Sequence, residues 1–158
     1  MIGLSVEETI RKTETSTYRP DIILSRGIPG YHDGPIGLDI VVTCPLNKTQ
    51  ISKAAGRDLA SAIAASDRKD SEQRDALKKI HYGFMPLAFE TTGGHTEEVE
   101  TLVHYIAKEK QLMTGTPFGE NATYLWELLS VTLQRANAFA IKKRYFELIP
   151  DLNSDEAP

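Results

Sequence analysis

The chain has 158 residues, of which 41% are apolar and 25% charged, with a net charge of −4 and a single cysteine. That length suffices for one domain with a real core, 1–158. The acidic balance argues against a general nucleic-acid coating protein, and one cysteine excludes an internal disulfide framework. No stretch reaches the run of about 18–20 apolar residues that a membrane span needs, and MIGLSVEETIRKTE is too acidic and too broken for a secretory or transit signal. The expectation is a soluble, intracellular protein.

Residues 4 to 14 read as a short helix, with Ser5 and Glu8 at capping-box spacing and Leu4, Val6 and Ile10 as a thin apolar stripe. Two strands follow, at about 19–25 and 37–44, each a β-branched run carrying one acidic residue: Asp21 in YRPDIILS and Asp39 in GLDIVVTCP. The link between them, RGIPGYHDGP, is turn chemistry, so the pair forms a hairpin that can bring both carboxylates to one end. Two converging carboxylates offer hard oxygen ligands to Mg²⁺ or Mn²⁺ and leave positions for water and phosphate. An Asp at such a position is also often only a turn former or a strand-start residue. Cys44 is expected as a buried, inert thiol, and Pro45 closes the strand.

From about 48 to 80 the chain reads as a helix whose narrow face is Ile51, Ala54, Ala55, Leu59, Ala60 and Ile63. Its stretch DRKDSEQRDALKK is readable as a solvated surface of i,i+4 pairs, or as the source of one lysine facing the carboxylates. A third strand spans about 82–91, with Pro86 marking an edge or a bulge. A helix at about 96–112 follows, capped by Thr96. The last helix, about 121–148, carries a Leu-rich stripe, a basic end and Trp126 beside the stripe. His95 and His104 fit no metal-ligand spacing and are read as surface or cap residues.

This layout is an α/β sandwich, a small mixed sheet flanked by helices. Together Arg19-Pro20-Asp21, Leu38-Asp39-Ile40-Val41-Val42-Thr43, Phe84-Met85-Pro86-Leu87, Glu90-Thr91-Thr92-Gly93-Gly94, and Leu129-Ser130 with Arg135-Ala136-Asn137-Ala138 carry a resemblance. Over roughly residues 18 to 145 the chain resembles the restriction-endonuclease-like domain at the C-terminus of non-LTR retrotransposon reverse-transcriptase polyproteins, in the PD-(D/E)XK nuclease superfamily. The resemblance implies metal ligands at Asp21 and Asp39. It also implies a lysine migrated from the position of Val41 to the next helix, with Lys69 the best match and Lys53 the runner-up. Glu7, Glu8 and Glu14 correspond to the acidic residue that the first helix supplies in some members, and Glu90 is read as ending its strand by accepting hydrogen bonds from the TTGG turn. The implied activity is Mg²⁺- or Mn²⁺-assisted hydrolysis of DNA, with Arg19, Lys48, Lys53 and Arg57 on the backbone and a nuclear location for a working retroelement nuclease. The alternative is a domesticated, silent copy that serves a larger protein assembly through helix 121–148.

Overall fold

The computed structural model describes Leu4–Ser5 and residues 20–148. It is a mixed α/β structure with a small mixed sheet and four helices. The strands are β1 (Leu4–Ser5), β2 (Ile22–Leu24), β3 (Ile36–Thr43) and β4 (Gly83–Glu90), in spatial order β1-β2-β3-β4. Neighbours β1 and β2 are antiparallel, as are β2 and β3, whereas β3 and β4 run parallel through eight consecutive pairs from Ile36↔Gly83 to Thr43↔Glu90. A parallel pair needs a crossover, and here the helix α2 (Ala60–Lys78) supplies it. The outer position of β4 suits Pro86, which has no N–H to give to a further strand.

Alternation along β3 and β4 sorts the core into two layers. Ile36, Leu38, Met85 and Leu87 point to one face and form a buried cluster with Val99 and Val103 of α3 (Glu97–Thr114). Helix α4 (Phe118–Leu148) packs on α3, with Leu125, Trp126 and Leu129 against the same cluster. The other face lies under α2, which buries mostly small residues: Ser61, Ala62, Ala65 and Ser66, with Leu77 near its end. Small side chains let a helix approach a sheet closely, and this is what brings a residue further along α2 within reach of β3.

Several expected boundaries are corrected. The helix expected over 48–80 is two: a single turn, α1 (Ile51–Ala54), then α2. The break lies at Leu59, which is left-handed at φ 58°, a conformation that costs a branched residue on the order of 1 kcal/mol or more. Consequently Ile51 is half exposed, and the buried face comes from Ala62 and Ala65, two positions on from Ala60 and Ile63. The helix expected over 4–14 begins instead as a strand at Leu4–Ser5, and its remainder lies outside the described residues. Strand β2 is shorter than expected because Pro20 leaves the ladder and packs over Gly37. Cys44 follows the end of β3 and is exposed, not buried.

The loop between β2 and β3 is closely built. A Cβ on Gly27 would sit 2.0 Å from the backbone oxygen of His32 and 2.6 Å from the carbonyl carbon of Asp33. Backbone cannot step aside as a flexible side chain can. Gly27→Ala is therefore expected to cost roughly 1–3 kcal/mol, the usual range for forced overpacking, read as a lower urea midpoint with unchanged slope. An unchanged midpoint would contradict this account.

Candidate metal-and-phosphate site

Asp21 and Asp39 come from adjacent antiparallel strands, one residue beyond the pair Ile22↔Leu38 on each chain. Asp21 is exposed and fixed by its own neighbour strand: its Oδ2 accepts the main-chain N–H of Ile40 at 2.7 Å. Asp39 points to the α2 face and is only 5% exposed. The Lys69 ammonium reaches it from α2, with Nζ 2.7 Å from Oδ2, and stays one-quarter exposed. Asp21 just before β2, Asp39 of β3 and Lys69 of α2 thus meet at one place, the lysine arriving from within the crossover.

The electrostatics are unbalanced. Burial pushes the Asp39 carboxyl above its ordinary range, because a charge in a low-dielectric setting loses hydration. The Lys69 hydrogen bond and charge pull it back down, and the neighbouring Asp21 carboxylate pushes it up again; the balance is upward. A buried carboxylate whose charge is disfavoured, beside a second carboxylate, gains most from a nearby multivalent cation. The donor set fits Mg²⁺ or Mn²⁺: two carboxylates supply hard oxygens, and one of them faces solvent. Among the described residues, no group of three or more His, Cys, Asp or Glu converges on such a point. Glu7, Glu8 and Glu14, as well as Arg19, lie outside the described residues.

The other expected residues are placed apart from this trio. Lys48, Lys53 and Arg57 are all exposed on the segment between β3 and α2, with Lys53 in α1. Among the described residues, Lys53, the second choice for the migrated lysine, forms no ion pair with Asp21 or Asp39, whereas Lys69 pairs with Asp39. Glu90 sits at the far end of β4 and is buried. It accepts from the Thr92 hydroxyl at 3.3 Å, within the expected turn, but also from the Ala62 N–H at 3.4 Å. The second contact makes Glu90 a cap for α2, whose own N-cap, Leu59, offers no side-chain acceptor. His95 is half-buried, its ring tilted against Trp126 with centroids 4.6 Å apart and its Nε2 3.4 Å from a Glu100 carboxylate oxygen. Thr96 occupies the N-cap of α3, but its buried hydroxyl makes no capping bond.

Sequence patterns missed the main-chain contribution: the Ile40 N–H that orients Asp21 carries no side-chain signature. No family model matches the chain, and neither a curated protein nor a solved structure shows significant similarity to it. Among the described residues, no helix is long and apolar enough to cross a membrane.

Proposed function

We propose that the chain is a metal-dependent, restriction-endonuclease-like domain that hydrolyses phosphodiester bonds in DNA, of retroelement ancestry and acting inside the cell, in the nucleus where the element is active. One observation carries this reading. A buried carboxylate, held above its ordinary range by desolvation, has a second carboxylate and a lysine ammonium as its neighbours. Purely structural carboxylates are usually arranged the other way, with their charge favoured.

Asp21 and Asp39 would hold Mg²⁺ or Mn²⁺. Such an ion, when bound, polarises the phosphate and lowers the pKa of water. Water then adds to phosphorus as one P–O ester bond breaks. In this reading Lys69 orients the attacking water and offsets charge building on the phosphate oxygens. The Ile40 N–H keeps the exposed Asp21 from rotating away. Lys48, Lys53 and Arg57 supply exposed cations for the DNA backbone, positioning the duplex without reading its sequence.

The test is nicking of supercoiled plasmid by the purified chain with Mg²⁺ or Mn²⁺. Nicked circles are expected, and excess chelator should stop their formation. Lys69→Met is expected to slow nicking by about 10²-fold or more while leaving the ion's binding intact, because the residue acts on the transition state.

A second reading has its own support. Val41 occupies the position where the nucleases that the chain resembles carry a lysine, and α4 exposes Leu128, Val131, Phe139, Ile141 and Phe146. A silent domain kept as a subunit of an assembly would show both features. Absence of nicking by the wild type at micromolar protein would favour it over catalysis.

A further inference from the structure

Helix α4 has 31 residues and is about 46 Å long at 1.5 Å per residue. Among the described residues, only its first part packs against the body of the protein. Asn137 ties it to the sheet, its side-chain amide donating to the Thr91 carbonyl at 2.8 Å. From residue 138 to 146 every side chain is exposed, on all sides of the helix. These exposed residues include Phe139, Ile141, Tyr145 and Phe146, at 59–71% exposure. A helix draws most of its stability from packing an apolar face, and aromatic residues standing in water across two turns mark a contact surface.

An exposed stripe runs along the outer side of α4 through Tyr124, Val131, Arg135, Phe139 and Lys142, at helical spacing, with Leu128 at its edge turned toward the apolar groove against the sheet. Its charges are segregated. Glu120 and Glu127 lie seven residues apart in the first half, and Arg135 and Lys142 lie seven apart in the second. The same helix therefore carries an acidic heptad pair followed by a basic one. In antiparallel pairing a single register matches both: with Val131 on the two-fold axis, Glu127 faces Arg135 of the second copy and Glu120 faces Lys142. Symmetry doubles each pair. The helix dipoles oppose each other, and the unpacked half of each helix lies along the anchored half of the other.

We propose that this chain forms a two-fold homodimer through antiparallel α4 helices centred on Val131. The order of the charges that share the exposed side of α4 with Val131 selects this occupant. A partner with a uniformly acidic surface would be repelled by Glu120 and Glu127, and a uniformly basic one by Arg135 and Lys142, whereas a second, reversed copy satisfies both halves. The proposal is independent of catalysis, so a silent chain and an active one should dimerise alike.

Sedimentation equilibrium of the full chain from about 1 to 100 µM tests it, the range in which a modest helical interface shifts from dissociated to paired. The wild type is expected to associate reversibly to a dimer and no further. Val131→Glu should give a monomer with an unchanged far-ultraviolet circular dichroism spectrum, since Val131 is half exposed in the single chain. Glu127→Lys should weaken the dimer by about tenfold, by turning two attractive pairs into repulsive ones. Glu127→Lys with Arg135→Glu, which swaps the charges, should return the constant to within about threefold of wild type. A monomer at every concentration overturns the proposal. So does a dimer that is indifferent to the single change, or one that the swap fails to restore.

Discussion

Asp39→Asn is expected to abolish metal-dependent nicking, a loss of at least about 10³-fold, and at the same time to make the protein more stable at neutral pH. The first effect follows because asparagine keeps the shape of the side chain but cannot hold a divalent cation with a formal charge. The second follows from the electrostatics of the folded state. Burial raises the Asp39 carboxyl above its ordinary value, more than the Lys69 contact lowers it. The folded protein therefore binds this proton more tightly than the unfolded chain does. Stability contributed at this position is greatest below the ordinary carboxylate value and falls as the pH rises through the raised folded one. At pH 7 the wild type carries that cost and the neutral asparagine does not. In acid, where the carboxyl is protonated in both states, the gain should disappear. Thermal unfolding of both proteins from about pH 3, below the ordinary carboxylate value of 3.8, to about pH 8 checks the sign. An Asn variant less stable than the wild type at pH 7 would mean that Lys69 outweighs desolvation, and the site would then read as a structural ion pair.

Phe84→Ala should cost about 3–5 kcal/mol, the range for deleting a buried ring, against a total of about 5–15 kcal/mol for a typical domain. Phe84 is 1% exposed and lies on β4 opposite Gly37, where the neighbouring strand has no side chain of its own. Leu77 of α2 and Pro20 close over that gap, at 3.1 and 3.2 Å from where a Cβ of Gly37 would stand. A lost ring there leaves a cavity bounded by two strands and a helix, none of which can collapse alone. The expected result is a markedly lower urea midpoint with an unchanged slope. A loss below about 1 kcal/mol would show that α2 can settle onto the sheet and that the gap is soft. Because α2 also carries Lys69, the same variant should loosen the contact between Lys69 and Asp39.

The legible parts of this chain were those in which local chemistry decides. β-branched runs on either side of a Gly- and Pro-rich link announce β2 and β3, and with them the neighbourhood of Asp21 and Asp39. Periodicity marks α3 and α4. Lys69 was singled out by resemblance and not by spacing, because nothing in DRKDSEQRDALKK distinguishes the lysine that turns inward from those that do not. What decides it is the depth at which α2 rests on β3 and β4, set by small residues such as Ala62 and Ala65 that are distant in sequence from both strands. The break at Leu59 is equally opaque. A leucine has no preference for φ 58°, so the kink reflects the demand that α2 start beneath Glu90, which supplies the cap that Leu59 lacks. The exposure of Cys44 follows from where β3 stops, a question of its neighbour's length.

The parallel pairing of β3 with β4 has a kinetic consequence. Ile36 joins Gly83, 47 residues on, whereas Leu24 joins Ile36 across only 12. Closing the longer loop costs roughly 1–1.5 kcal/mol more chain entropy, and its contacts are won only after α2 has docked. The hairpin can thus assemble its two carboxylates early, before the ammonium of Lys69 is at hand. Refolding should then pass through a stage in which like charges stand together unneutralised, and raised ionic strength should speed the steps up to that point by screening them.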